Sequence, residues 1–359
     1  IKGTLANFWK RLLGCSGETK INEKLDSTRP ELGRYFDDLR ITHAFPGKDR
    51  VRPVQYSLSW VKVGDSFCDV ASYEMTDWIA NHAMAPAFAV DWKGKDYAKV
   101  KQCFGWPEVE RELRIRTAVD AETRRTKDEQ LFAYEMVVPT KEKVEEWYAH
   151  LDLSAVPELD RAKVVEQLHS LIAEGLVGLG KTKAYARLQL LNAGNIRSHC
   201  PSYLQGPEWI VTLQTPALLC SPEGLTDADG DRPAALLKAY RDTFASLSKG
   251  SLVLQRFFAT QSLAGGKYLW KRFKYSDSYE PLLLTNAGSV FVLHPQTGKE
   301  KEAQQCIENW FNTGLPVTKW VVDQYSLGEK PASYWQKCPY IPQHGFGEIA
   351  VNVGMSSAG

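Results

Sequence analysis

The chain has 359 residues, enough for two domains with a core each. Lys and Arg number 44 against 43 Asp and Glu, which excludes a globally basic nucleic-acid binder and confines any such contact to local patches. Seven scattered cysteines with no CxxC pair fit a reducing, cytoplasmic setting, and the seven histidines lack metal-ligand spacing; the sequence shows neither a signal-peptide pattern nor a membrane-length apolar run.

Residues 1–13 mix apolar and basic positions. Lys2, Lys10 and Arg11 suit a solvated amphipathic helix and a phosphate contact equally well. Asp37 and Asp38, next to Arg40, read as a turn or an ion-pair site. Between 54 and 112, Trp60, Trp78, Trp92 and Trp106 are spread evenly, which suits core or subunit packing better than a substrate pocket. Ala85-Pro-Ala and Trp106-Pro-Glu mark turns in this stretch. Arg114, Arg116, Arg124, Arg125 and Lys127 then put five cations within fourteen positions, among Glu122, Asp128 and Glu129. That density exceeds what a loop needs for solubility and points to phosphate contact, with Asp120 holding the local chain conformation.

From Arg161 to Glu174, Val164, Val165, Leu168, Leu171 and Ile172 recur at helical spacing. Directly after them, Gly175-Leu-Val-Gly-Leu-Gly180-Lys181-Thr182 matches the phosphate-cradling loop of nucleotide-binding proteins. In a true loop of that kind, glycines admit backbone N–H groups to the phosphates, Lys reaches the terminal phosphates and Thr holds magnesium. Such a loop leaves a buried strand and opens a helix. Here a helix comes first and Ala184 to Leu191 follows as a strand-like run, so the order is inverted and ATP is disfavoured. In an extended chain Lys181, Lys183, Tyr185 and Arg187 alternate onto one side, beside Gly178 and Gly180. This is the strongest single candidate for gripping a polyanion. Its bland reading is a flexible connection with incidental charge.

Leu191 to Ser202 lacks apolar periodicity and reads as a linker, and a strand is predicted at Trp209–Thr215. Lys267 to Tyr275 interleaves cations with Tyr268, Trp270, Phe273 and Tyr275, the scheme by which single strands are stacked and neutralised. Alternation equally buries the aromatics against a sheet. Gly265 and Gly266 predict a hairpin and hence a basic ribbon, with Trp270 and Phe273 in the core and Lys271, Arg272 and Lys274 outward. Lys301 to Thr313 sets Ala303, Cys306, Ile307, Trp310 and Phe311 on one helical face, and Pro339 to Gly347 feeds a short strand at Glu348–Val353. Helix, glycine loop and strand thus occur twice about half a chain apart, which predicts a duplicated α+β unit.

Several of these segments resemble, in order, the RAMP (repeat-associated mysterious protein) superfamily, the RNA-recognition-motif-like subunits of CRISPR effector complexes. Ile1 to Leu13 is similar to the family's Gly-Ser/Thr-Leu-Arg-Gly turn and following helix, with Ala6 where an Arg is usual. Arg116 to Arg124 through Leu131-Phe-Ala-Tyr-Glu135 is similar to its Ile-Asp-Arg-x-Thr … Leu-Phe-x-x-Glu stretch. Gly178 to Arg187 resembles its glycine- and base-rich loop, with Ala186 in place of a usual Gly. Thr285 to Val292 and Cys338 to Glu348 resemble two-domain RAMP subunits of type III effectors, those of type III-D systems above all.

The resemblance implies two tandem ferredoxin-like (RNA-recognition-motif-like) domains, over 1–197 and 205–359. It further implies a first strand upstream of Ile1 and an insertion near 54–112. It implies a cytoplasmic protein that binds CRISPR RNA and target RNA, contacts other effector subunits and touches no membrane. The RNA-binding set is Lys2, Lys10, Arg11, Arg114, Arg116, Arg124, Arg125, Gly178, Gly180, Lys181, Lys183, Arg187, Lys271, Arg272 and Lys274. No metal site, catalytic residue or cofactor is assigned, and Mg2+ enters only if RNA is cut within the assembled complex. The chain reads as a binding subunit, not an enzyme by itself.

Two other readings stay open at this point. A P-loop NTPase using Lys181 and Thr182 requires a strand before Gly175, a helix after Thr182 and an acid-ending strand such as Trp320-Val-Val-Asp323. A protein-only assembly subunit requires the basic clusters to face other proteins.

Overall fold

The computed structural model describes residues 1–63, 66–72, 95–120, 122–138, 146–180, 183–221, 225, 232–273 and 281–353. Its largest sheet belongs to the second half. Four antiparallel strands lie in the order Leu252–Phe258, Val290–Pro295, Trp209–Leu213, Ile349–Val351. Val211 sits between Phe291 on one neighbour and Val351 on the other. The strands predicted at 209–215 and 348–353 are therefore present, the first shortened to end at Leu213 and the second trimmed at both ends.

Side chains alternate across a strand, so each strand serves two faces. Trp209, Val211, Leu213, Leu252, Leu254, Phe291 and Leu293 bury one face against Tyr240, Phe244, Ala303, Ile307 and Trp310. Those five come from the helices Arg232–Leu247 and Glu300–Thr313. Ring pairs at 4.8 Å (Phe244–Phe291) and 5.0 Å (Tyr240–Phe291) set the layer spacing. On the opposite face Val290 and Val292 pack with Ala71. In the helix Glu300–Thr313 the expected face is only partly buried. Ala303, Ile307 and Trp310 are covered, while Phe311 lies at its exposed rim.

A second core gathers the helices Lys2–Leu12 and Glu158–Ile172. Leu5, Ala6 and Trp9 from the first meet Val164, Leu168, Leu171 and Ile172 from the second, with Leu32, Phe36 and Leu39 between them. The helix predicted from 161 starts three residues earlier, after the extended Pro157. This core also takes Leu282, Leu284, Val321, Tyr325, Trp335, Cys338 and Ile341 from the other half of the chain. The fold is α+β. Beside the four-stranded sheet, the described residues form seven two-stranded pairs, and a matching four-stranded sheet in the first half is not among them.

Within 54–112, Trp60 and Phe104 are buried together with Val54, Val100 and Cys200. The Trp106 indole donates to the Val54 carbonyl at 2.7 Å. Both tryptophans thus serve packing, as their spacing suggested. Trp78 and Trp92 lie outside the described residues.

Candidate nucleic-acid interface

The glycine segment is a hairpin. Leu176–Leu179 pairs antiparallel with Ala184–Ala186, setting Leu176 opposite Ala186 and Val177 opposite Tyr185, with an irregularity at Gly178. Gly175, Gly178 and Gly180 take φ of 87°, 91° and 63°, which side-chain-bearing residues rarely adopt. Leu176 roots the hairpin in the core, beside the helix Lys2–Leu12. A helix precedes these glycines and a strand follows, so no helix N-terminus aims its amides at a phosphate as a nucleotide loop requires. The proposed second motif, Trp320–Asp323, lies in the helix Lys319–Gln324 instead of ending a strand. The NTPase reading thus lacks the strand–loop–helix order and the acid-ending strand that it requires. Lys181 and Thr182 lie outside the described residues.

Lys183, Tyr185 and Arg187 are all exposed. Lys183 has φ of 54°, so it belongs to the turn and strict alternation begins only at Ala184. Tyr185 lies within the strand Ala184–Ala186, and Arg187 follows directly after its end.

Two further basic elements stand on the same core. Lys10 projects from the amino-terminal helix and donates to the Gly17 carbonyl at 2.9 Å. Desolvation, and after it the nearby Arg272 guanidinium, hold its ammonium below the ordinary range, against the pull of Asp37 and Cys15. Arg11 is exposed one residue on. The expected ribbon at 267–275 is instead a helix over Gly266–Phe273. Trp270 and Phe273, three apart, share one helical face and pack against the core, whereas strand alternation would set them on opposite faces. Lys271 and Arg272 are exposed, whereas Lys274 and Tyr275 lie outside the described residues.

Lys2 is a correction. Its side chain is fully buried, donating from Nζ to the carbonyls of Asp37 (2.8 Å) and Leu39 (2.6 Å). The ammonium lies 5.0 Å from the centre of the Trp335 ring, and burial pulls its pKa down to about 7 despite Asp37 and Asp38. A group so enclosed has no surface to offer a phosphate. Asp37 is equally structural, since its Oδ1 accepts from the Trp335 indole at 2.8 Å.

The arginine-dense stretch forms a long two-stranded ribbon, Arg111–Val119 against Thr126–Val137, where the sequence suggested a loop. Alternation is the signal that reveals it: Arg114 and Arg116 fall on one side, Leu113 and Ile115 on the other. The register sets Arg114 opposite position 134 and Arg116 opposite position 132, both aromatic in sequence. Leu113, Ile115 and Leu131 are 65%, 65% and 67% exposed. At the tip Asp120 Oδ1 accepts from the backbone N–H groups of Glu122 and Thr123 at 3.1 and 2.9 Å, the chain-holding part expected of it. Arg124, at φ of 55°, and Arg125 are exposed beside it.

One cluster escaped the sequence reading. Lys48, Arg50 and Arg197 are exposed together because the Arg197 N–H donates to the Arg50 carbonyl at 2.9 Å and Val51–Arg52 pairs in parallel with Arg197–Ser198. Nothing local to residue 197, read earlier as linker, announces this. Among the described residues no three His, Cys, Asp or Glu side chains gather as metal ligands, and no helix is long and apolar enough to cross a membrane.

Fold and surface together define an α+β protein with basic elements standing outward from a shared core. No protein-family model and no curated protein matches the chain. Among solved structures it superposes in part on a chain of the type III-B Cmr-beta complex bound to cognate target RNA and AMPPnP. That pair is 12% identical, over 81% of this chain and 76% of the other, with a TM-score of 0.36. A chain of type III-B Cmr-beta bound to cognate target RNA is 11% identical over 97% of this chain and 84% of its own, with a TM-score of 0.36. A chain of the Csm3–Csm4 subcomplex of the type III-A CRISPR-Cas interference complex is 12% identical over 81% and 84%, with a TM-score of 0.33.

Proposed function

We propose that this chain is an RNA-binding, RAMP-like subunit of a type III CRISPR effector, holding CRISPR RNA and contacting neighbouring subunits. The observation that carries the reading is one of placement. Residues 1–12, 176–179 and 266–273, remote in sequence, rest on one core; on or beside them Arg11, Lys183, Arg187, Lys271 and Arg272 are exposed and Lys10 is half-exposed. Gathering like charges is unfavourable by itself and is offset when a polyanion releases its counterions on binding. The glycine hairpin adds backbone that a phosphate chain can approach closely. The apolar side of the arginine ribbon suits a neighbouring protein, since contiguous exposed apolar surface marks contact sites. Kinship with type III-D subunits and two tandem RAMP domains belong to the same proposal. The chain binds and positions RNA, with Mg2+ needed only if the assembled complex cuts it.

The test is to purify the chain from its host in gentle salt, size any nucleic acid that accompanies it, and repeat with Lys183→Glu, Arg187→Glu and Arg272→Glu combined. A discrete short RNA, arriving with other proteins and lost from the triple variant, is the expected result. RNA retention unchanged by the reversal, with loss of the partner proteins, instead establishes a protein-only assembly subunit.

A further inference from the structure

Tyr185 is an aromatic side chain left open on a small hairpin. Its ring is nevertheless fixed. The hydroxyl donates to the Glu174 carbonyl at 3.0 Å. The phenol end lies on Gly175, where an added Cβ would fall 2.6 Å from ring Cε2 and from the hydroxyl oxygen. Gly175 thus answers two demands, a φ of 87° and room for this ring. Even so, Tyr185 remains 55% exposed, and its cross-strand partner Val177 is 52% exposed. A ring immobilised from below and open above has its ordering cost settled before any ligand arrives. Charge flanks it along the chain. Arg187 lies two residues on, just past the strand end at Ala186 and exposed, and Lys183 lies two residues back at the turn, also exposed.

We infer that Tyr185 is a stacking platform for one unpaired base of a bound strand, with Lys183 and Arg187 neutralising the phosphates on either side of it. The inference rests on the RNA-binding reading above and adds to it the state of the ligand at this point: single-stranded, with a base turned toward the protein. Aromatic faces accept any base, so the platform holds a strand without reading its sequence. A duplex has no free base face to offer, which sets the specificity.

The test uses the full chain and a short, unstructured oligouridylate carrying bromouracil. Irradiation should crosslink the probe to Tyr185, located by mass spectrometry. Tyr185→Leu should weaken binding about 5- to 150-fold while leaving the salt dependence unchanged. Arg187→Gln should weaken binding and flatten the log–log salt slope by about 0.7, the value for one single-strand phosphate. Tyr185→Phe, which keeps the ring, should retain most of the affinity and so guards against misfolding of the leucine variant. Normal affinity in Tyr185→Leu, or a crosslink placed elsewhere with Tyr185 unlabelled, overturns the platform while RNA binding stands. An unmodified chain that binds no RNA overturns the functional reading itself.

Discussion

The guanidinium of Arg52 meets both carboxylate oxygens of Glu348, at 2.7 and 2.9 Å, across 296 residues of chain. Arg52 also donates to the carbonyls of Tyr148 and His43 and lies against the Phe45 ring at 4.3 Å. Its partner immediately precedes the last strand of the large sheet, so this buried contact joins the early strand pairs to the second half. Removing one member leaves the other charged and enclosed. Glu348→Ala should therefore cost about 3–5 kcal/mol, and Arg52→Met paired with Glu348→Leu should recover much of that loss. Urea melts of the single and double variants measure both, and a nearly neutral Glu348→Ala would refute the assignment.

Lys2 gives the chain an alkaline signature. Its pKa is about 7 in the folded protein against an ordinary 10.5. Between those values the unfolded chain holds a proton that the folded chain has released, so stability rises with pH through this window. Below about pH 7 both forms are protonated and the contribution is flat. Lys2→Met should abolish that slope and cost about 1–3 kcal/mol for each carbonyl, Asp37 or Leu39, left without its donor. Denaturant midpoints from pH 7 to 10 check both effects.

At the acid end the same linkage runs through His344. Its Nε2–H donates to the Trp335 carbonyl at 2.8 Å, and burial, chiefly, lowers its pKa from 6.5 to about 4. Above pH 6.5 the ring is neutral in both states. As pH falls from 6.5 toward 4 only the unfolded chain gains the proton, so stability declines across that interval. The half-buried His43 is shifted the same way, chiefly by desolvation. His344→Gln, which keeps a donor and cannot titrate, should lose part of the decline between pH 7 and 4.5, while an unchanged acid limb would exclude His344 as its source.

What the sequence disclosed follows the range of the interactions involved. Apolar spacing alone located the helices Glu158–Ile172 and Glu300–Thr313, because one buried stripe is a local property. The inverted order around Gly175 and Gly180 was legible for the same reason. Lys2 was misjudged because its enclosure depends on Trp335 and Asp37, which no window around residue 2 contains. The stretch at 267–275 misled because Gly265 and Gly266 were taken as a hairpin turn, although the three-residue step from Trp270 to Phe273 is a helical spacing. Lys48, Arg50 and Arg197 meet only through a strand pairing that local pattern does not encode.

The ribbon of Arg111–Val119 and Thr126–Val137 sets Arg114 and Arg116 on one side and Leu113 and Ile115 on the other, which lets two proposed contacts be tested apart. Leu113, Ile115, Arg116, Arg124 and Arg125 are all exposed and lie outside the core, so substitutions at them should stay within about 0.5 kcal/mol of the parent stability. Arg116→Glu, Arg124→Glu and Arg125→Glu combined remove three candidate phosphate contacts. They should weaken RNA binding and flatten the log–log salt slope by about 2, at roughly 0.7 per contact. Leu113→Ser with Ile115→Ser changes the apolar side alone. It should leave the RNA affinity of the isolated chain intact and reduce recovery of partner proteins with the assembled complex. Titrations at several salt concentrations, beside affinity purification from the host, read the two sides independently. If the serine variants lose RNA and the glutamate variants lose only partners, the sides have been assigned the wrong way round.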